Sequence, residues 1–510
     1  MKHIIYTLMM SVIVFASVSC SLEEDPEYFV NKDDFYKNKE QCVSAVNACY
    51  NKLNSIYTFR MLTLTDAHSD LIYEPAPTVT EARMELSPAQ PGGGESIWLN
   101  CYQMIMYANS AFVGVQGSPL DDDEKNALLA EIVIMRAFYY YLLTSFWGDV
   151  PFYTEDVSDT ETMNRIARLP RMSAVETRAA LIKELNEYIH YLPQVRTSEN
   201  EGNRAGAAVG LMLVAKMAMW NAAKDTDAES DTYWYDIALE ALGALEDIYG
   251  DLAQYPLEDI KFRYKNTPES IFEVQHTYTP GGVIYTSNLA CVCMPYQTTE
   301  ERGSNVFDGV EVTELGEDAN VWTPARPNVY FSSGLQTRGN GDKRAEMNMA
   351  WEYNGTEFKS VNTRPWLGPK FWCPEMRDSY DSNNYKIFRY ADAVLMMAEC
   401  YCAKRDETNM LLYLNAVKTR AGLAPYSFRS WDKAMTEIQD ERARELFGEF
   451  QRKFDLVRWG IWYSRVSEIN DYQELRDNIR PCHEYLPIPD KQVIYSGYAL
   501  DNTEYNKYGM

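Results

Sequence analysis

The chain has 510 residues, of which 13 % are aromatic, and it carries a net charge of −26 at pH 7. This length is sufficient for one large core or for several smaller domains. The acidity argues against nucleic acid as a partner, because binding to phosphate backbones requires clustered Lys and Arg.

The first predicted element is an N-terminal signal peptide, residues 1–19. Lys2 gives it a positive start, and the apolar run 4–16 that follows is too short to span a bilayer. Cys20 stands where bacterial lipoproteins are cleaved and acylated, so we expect a mature chain that begins at a lipidated Cys20. A secretory signal with a chance cysteine at the cut is the alternative. No second apolar run of spanning length follows, so the lipid is expected to be the only membrane contact.

The remaining chain is predicted to be mostly α-helical. Apolar residues recur at helical spacing, and successive helices pair without a supporting sheet, which is typical of tetratricopeptide-like scaffolds. No 34-residue sequence repeat accompanies this pattern. The predicted helices cover 33–53, 98–113, 121–147, 173–191, 205–223, 233–248, 388–402, 409–420 and 431–459.

Metal and cofactor sites are not predicted. The acidic run 121–124 could hold calcium, but acids at a helix start complement the helix dipole, which is a simpler explanation. The four histidines beyond the signal peptide form no HExxH pattern. Most of the nine cysteines that follow Cys20 are expected to be buried small hydrophobic residues.

A loop-rich irregular insertion, 262–385, separates an N-terminal helical part, 20–261, from a C-terminal helical part, 386–510. The insertion is rich in Gly, Asn, Thr, Pro and aromatic residues and has weak helical periodicity. Loops carried on a helical frame are where binding sites usually lie.

Several segments, in order along the chain, carry a recognisable pattern. RAFYYYLLTSFWGDVP at 136–151 and RYADAVLMMAE at 389–399 are the most specific of them. Segments 202–208, 441–460 and 485–489 agree as well. Together these segments resemble the SusD-like (RagB/SusD) family of lipoproteins over nearly the whole mature chain.

The resemblance implies a cell-surface lipoprotein of the outer membrane that captures oligosaccharides. It also implies delivery of the ligand to a TonB-dependent transporter of the SusC-like class. The acidic residues 23–25 after Cys20 are similar to the export tag of such lipoproteins.

Glycan sites combine aromatic platforms with polar groups that bind hydroxyls. Two regions offer this mixture, 66–100 and the insertion, and in starch-binding relatives an aromatic residue of the first region contacts the ligand. Trp98 is the corresponding candidate, although it also starts a helix and could be a core residue. The candidate ligand residues are Asp66, Asp70, Tyr73, Arg83, Trp98, Asn100, Tyr285, Trp322, Tyr330 and Trp366.

Charged residues inside the apolar helical motifs are predicted to join helices rather than to perform chemistry, because buried charges require partners. They are Arg136, Asp149, Arg389, Asp392, Arg442, Glu445 and Arg458.

Three functions remain as alternatives. The first is a non-catalytic glycan-binding protein, and the second is the same role for peptides or another nutrient, since an acidic surface attracts cationic peptides. The third is a surface glycoside hydrolase, which requires two carboxylates at a defined separation. With 74 acidic residues, some pair always meets such a separation, so spacing carries little information. The first alternative is the prediction, and no enzymatic activity is expected.

Overall fold

The computed structural model of the chain describes residues 35–195, 204–277, 285–294, 306–307, 310–311, 325–353, 356–357, 365–373, 376 and 379–510. The predicted signal peptide, Cys20 and Trp322 lie outside these residues. The described chain is mostly α-helical, as predicted.

Helices dominate the first half of the chain, with one short strand in the loop that precedes α4. They are α1 (Lys39–Ala48), α2 (Leu53–Ile56), α3 (Phe59–Leu64), β1 (Ile72–Tyr73), α4 (Gly93–Gln116), α5 (Asp122–Trp147), α6 (Thr160–Ile166), α7 (Ala174–Tyr188), α8 (Ala207–Lys224) and α9 (Tyr233–Tyr249).

Short strands and single helical turns follow in the predicted insertion. They are β2 (Ser270–Val274), α10 (Ala290–Cys293), β3 (Val306–Phe307), β4 (Val310–Glu311), β5 (Arg326–Pro327), α11 (Ala345–Asn348), β6 (Met349–Ala350), β7 (Glu352–Tyr353), β8 (Thr356–Glu357), β9 (Trp366–Leu367) and β10 (Tyr385–Arg389).

The C-terminal part returns to helices. They are α12 (Tyr390–Ala403), α13 (Glu407–Arg420), α14 (Trp431–Glu445), α15 (Arg452–Arg458), α16 (Trp462–Ile469), α17 (Gln473–Asn478), α18 (Asp490–Tyr495) and α19 (Thr503–Asn506).

Consecutive helices pack side by side into a continuous array, the tetratricopeptide-like scaffold. α4 packs on α5, α5 on α7, α7 on α8, α8 on α9, α9 on α12, and α12 on both α13 and α14. Small residues allow the closest approaches, as predicted for α8: a Cβ atom at Gly210 would lie 2.7 Å from Cγ1 of Ile189.

The central helix of the array is α5. Asp121 caps it by accepting a hydrogen bond from the backbone N–H of Glu124, so the acidic run serves the helix start, as the sequence indicated. Within the described ranges, α5 is the one helix long and apolar enough to cross a membrane, and 94 % of its most apolar window is buried inside the protein. The core helix of a folded domain passes the same test of length and composition.

The strands form small antiparallel pairs that tie distant segments together. β2 pairs with β10, and β6 pairs with β9. β1 pairs with β5, with Tyr73 opposite Arg326, and this pairing joins the early loop to the insertion. The strands β3, β4, β7 and β8 form a small sheet of their own.

The predicted single helix over 431–459 is wrong, because the chain breaks it into α14 and α15. Gly448 and Phe450 adopt left-handed φ angles of +70° and +64°. A Cβ atom at Gly448 would lie 2.4 Å from the ring of Phe371. The bend lets Glu449 reach Lys370 and Arg389, and a continuous helix would prevent both ion pairs.

The charged residues of the helical motifs join helices, as predicted. Arg389 contacts Glu269, Glu445 and Glu449, and Arg442 pairs with Asp392 and Asp455. The remaining members pair similarly: Arg136 with Glu184, Arg458 with Glu399, and Asp149 with the backbone N–H of Ala174.

Candidate functional site

A cleft of about 840 Å³ opens beside the N-terminal end of α4. Its walls are the start of α3, residues 78–81 of the long loop, and the first two turns of α4, and Asn288 of the insertion closes one side. Hydroxyl, amide and charged groups line it together with the apolar side chains of Phe59 and Leu99. The cleft therefore offers both hydrogen-bonding groups and apolar contact surface.

Glu81 holds two walls of the cleft together. Its carboxylate accepts a 2.7 Å hydrogen bond from the backbone N–H of Gly93 and forms an ion pair with Arg60. Gly92 has a φ of +58°, and a Cβ atom there would lie 2.5 Å from the Glu81 side chain. Glycine at this position permits the close approach of Glu81. The Glu81 carboxylate can then accept a hydrogen bond from a backbone N–H at the start of α4, which has no partner within the helix.

Two side-chain amides, those of Asn100 and Asn288, line the cleft. The Asn100 side-chain amide donates to the Ser96 hydroxyl at 3.2 Å, and the Asn288 side-chain oxygen accepts from the backbone N–H of Phe59 at 2.9 Å. The Asn100 oxygen and the Asn288 NH₂ group have no other hydrogen-bond partner in the described part of the chain. They can therefore accept from, and donate to, the hydroxyls of a bound molecule.

A second surface collects predicted residues from both regions. Tyr73 lies opposite Arg326, whose guanidinium carbon is 3.6 Å from the centroid of the Trp366 ring. Tyr330 follows on the same segment, and the Arg465 guanidinium covers its ring at 4.5 Å. Tyr73, Tyr330 and Trp366 are each partly buried, and the latter two rings stack on arginine.

Asp66 and Asp70 are buried, which contradicts the predicted contact with a ligand. Asp66 accepts a 2.7 Å hydrogen bond from the backbone N–H of Phe450. Asp70 pairs with Arg452 at 2.8 Å and with Arg465 at 2.9 Å. Burial raises the pKa of Asp70, but the two guanidinium groups lower it by more, so the net shift is downward. Both carboxylates hold the loop on the scaffold.

Trp98 is a core residue, and its predicted role as a stacking platform is wrong. Its exposed fraction is 3 %, and its ring packs edge-on against Trp147 at 5.2 Å and in a tilted arrangement against Tyr102 at 4.9 Å. The alternative stated for this tryptophan, a position in the core, is the one that the structure favours.

The other candidates are distributed more widely. Asn100 lines the cleft, whereas Arg83 is partly buried and pairs with Glu85. Tyr285 is 60 % exposed and lines a separate cleft of about 640 Å³ beside Arg204 and His276. Trp322 lies outside the described residues.

Three further cleft residues, Leu99, Arg60 and Asn288, are not among the residues predicted from the sequence. The helical periodicity could have indicated that Leu99 is exposed. Ile97, Trp98 and Cys101 form one apolar face of the helix, and Leu99 lies on the opposite face. Leu99 is 47 % exposed, and Asn100 lies beside it at the rim of the cleft. No signal pointed to Arg60 or Asn288, whose positions depend on contacts with distant segments.

Two family models match the chain. One, described as the SusD family, matches residues 315–509, and the other, described as starch-binding associating with outer membrane, matches residues 29–213. A SusD-like protein of Formosa agariphila, P25, is 25 % identical over 97 % of this chain and 97 % of its own. A SusD-like protein of Bacteroides ovatus is 23 % identical over 90 % of this chain and 83 % of its own.

Solved structures share the fold. A SusD superfamily protein of Bacteroides vulgatus superposes with a TM-score of 0.70 at 20 % identity, covering 91 % of this chain and 98 % of its own. Surface glycan-binding protein A of Bacteroides thetaiotaomicron, solved with laminarihexaose, gives 0.69 at 20 % identity with the same coverage. The two models, the relatives along the whole length and the common fold agree, and the chain belongs to the SusD-like family.

Proposed function

We propose that this protein binds glycans at the cell surface and delivers oligosaccharides to a SusC-like TonB-dependent transporter of the outer membrane. The observation that carries the proposal is the open cleft at the start of α4, where Leu99 offers an apolar surface and the Asn100 and Asn288 amides each keep one group available for hydrogen bonding. Family membership supports it, as do the names of structural neighbours, among them a laminarin-binding SusD-like protein.

The chemistry of the cleft suits a neutral sugar. Hydroxyls of a sugar ring can pair with the amides of Asn100 and Asn288, and its C–H face can lie on Leu99. Tyr285, Tyr330 and Trp366 are further proposed contacts for longer ligands, together with Tyr73, Arg83 and Trp322.

Binding without turnover is the proposal, because the two carboxylates of the cleft are engaged elsewhere. Glu81 pairs with Arg60 and with the start of α4, and Glu95 pairs with Lys491. A glycosidase needs one protonated carboxyl and one free carboxylate facing each other across the bond. Incubation with any glycan that binds should therefore release no reducing ends.

The proposed location follows from the N-terminal sequence. Residues 1–19 form the signal peptide, the mature chain 20–510 begins at a lipidated Cys20, and the protein faces the cell exterior. The three-part division at 261 and 385 is retained as the proposed organisation of this mature chain.

Binding by the mature protein tests the proposal. Calorimetry against a glycan panel should identify a ligand, and Asn100→Ala should weaken its binding by about fivefold to tenfold, the equivalent of one or two hydrogen bonds. Asn186→Ala is the matched control, because Asn186 is an exposed helical asparagine on α7, away from the cleft.

The same experiment separates the alternatives. Binding to a cationic peptide pool, with no binding to any glycan, would favour the peptide alternative, to which the net charge of −26 lends support. Equal affinity of Asn100→Ala and wild type would remove the cleft as the site.

A further inference from the structure

Three large exposed side chains lie within five residues of one another in sequence, at the end of α18 and just after it. Ile494, Tyr495 and Tyr498 have exposed fractions of 57 %, 71 % and 75 %, among the highest of the large hydrophobic residues described. The surrounding segment 492–500 contains no charged residue, in a protein whose net charge is −26. Exposed rings without charge suit a neutral ligand that has apolar faces.

This distal patch, defined as Ile494, Tyr495 and Tyr498, follows closely in the chain on Lys491, which contacts the cleft wall. Lys491 Nζ lies 3.4 Å from Oε1 of Glu95, a residue of the cleft wall. Ile494 and Tyr495 come three and four residues after Lys491, so all three side chains share one face of α18.

Backbone contacts fix this arrangement. The N–H of Asp490 donates to the carbonyl of Pro88 at 3.0 Å, and the indole N–H of Trp147 donates to the carbonyl of Pro487 at 3.1 Å. Leu486 packs against Gly94 at the start of α4, where a Cβ atom would lie 3.1 Å from it. The segment that carries the distal patch is therefore held directly beside the cleft.

Tyr498 adds an independent observation. Its φ is +67°, after a Gly497 that is also left-handed at +64°. A residue with a Cβ atom pays a steric cost in this conformation, and the exposed ring gains little packing in return. Gly would fit this backbone conformation better, so the backbone geometry does not account for a tyrosine at this position. Strain held by an exposed residue is typical of a contact surface.

We propose that the distal patch is a second subsite for the glycan bound in the cleft, so that the protein selects long neutral chains over short ones. This inference rests on the proposed function. A chain long enough to run from Asn100 past Glu95 onto Tyr495 gains an aromatic contact that a short oligosaccharide cannot reach.

Affinity for short and long chains tests the inference. The mature protein is run in native gels containing laminarin, starch, xylan, galactomannan or arabinan, and binding is then measured by calorimetry for the polysaccharide that retards it and for its trisaccharide. Tyr495→Ala should weaken binding of the polymer by about fivefold or more and leave the trisaccharide within about twofold. Asn100→Ala should weaken both, and Tyr191→Ala, another exposed tyrosine, should weaken neither.

Tyr498→Gly separates binding from folding. It should raise the midpoint of thermal unfolding, because it relieves the left-handed tyrosine, while it weakens binding of the polymer. If Tyr495→Ala and Tyr498→Gly both bind the polymer as the wild type does, the distal subsite is overturned. The cleft would then remain the proposed binding site. If no polysaccharide retards the wild-type protein, the proposed function and the inference fall together.

Discussion

At the scale of single residues, burial decides what each polar group can do. Asp66, Asp70 and Trp98 share the loop and helix that build the cleft, yet each is buried. Asp70 forms ion pairs with two arginines, whereas Asp66 accepts hydrogen bonds from the Phe450 N–H and the Thr65 hydroxyl and feels Lys370 only at longer range. Burial raises the pKa of Asp66 to about 7. A carboxyl without a cationic partner thus remains protonated well above its ordinary range.

The first prediction concerns the pH dependence of stability at Asp66. The folded state holds this proton more tightly than the unfolded state does, so the contribution to stability is present below pH 4 and is lost as the pH rises towards about 7. Asp66→Asn should therefore gain stability over the wild type as the pH increases, by a few kcal/mol at pH 8. Urea unfolding at pH 5 and pH 8 measures the difference.

Comparison of the variant with the wild type at each pH is needed because other groups titrate in the same range. Burial lowers the pKa of Lys453 to about 7. Above that pH, Lys453 makes the folded state more stable as the pH rises, which is opposite to the effect of Asp66. A difference in unfolding free energy that is the same at pH 5 and pH 8 would contradict the assignment to Asp66.

At the scale of elements, buried ion pairs fasten the C-terminal helices to the insertion. Glu445, the last residue of α14, contacts Arg344, Arg389 and Arg420, which come from α11's start, β10 and α13. Burial raises the pKa of Glu445, but the three arginines lower it by more, and the net shift is strongly downward. The bend after α14 then brings Glu449 to Arg389, so the cluster requires the break that helical periodicity did not predict.

The second prediction is that Glu445→Gln destabilises the protein by about 3–5 kcal/mol, because it leaves buried guanidinium groups without enough negative charge. Urea unfolding followed by tryptophan fluorescence measures this change. Glu504→Gln is the control: Glu504 forms an exposed ion pair with Lys507, and its loss should cost less than about 1 kcal/mol. Equal effects of the two substitutions would refute the structural role of the cluster.

At the scale of the whole molecule, a helical scaffold holds the cleft and the distal patch near one another, and the proposed lipid on Cys20 would anchor the chain. Residues 21–34 separate Cys20 from the first described residue. Each acyl methylene buried in the membrane contributes about 0.8 kcal/mol, so two or three acyl chains suffice for stable anchoring.

The third prediction is that Cys20→Ala releases the protein from the membrane fraction, because no acyl chain can be attached. Fractionation of cells and labelling with a radioactive fatty acid measure the anchor. Ser19→Ala is the control, because a small residue at that position keeps the cleavage site intact. Membrane retention of Cys20→Ala would show that the protein is held by something other than the lipid.

Local patterns were sufficient for much of the fold. Apolar periodicity predicted α5, α8 and α9 to within two residues and α4 to within five, since these helices contribute apolar faces to one core. The same patterns predicted the pairing of the motif charges, because an apolar helix cannot bury a charge without a partner.

The sequence by itself determined the helical class of this protein and the family pattern, because both depend on residues that are only a few positions apart in the chain. Only the tertiary structure decided which residues face solvent. Trp98 points inward while Leu99 and Asn100 line the cleft. Asn288 joins that wall from the insertion, and Lys491 of α18 pairs with Glu95 of the wall. Such contacts depend on how whole elements pack, and packing is a property of the assembled core that no local spacing specifies.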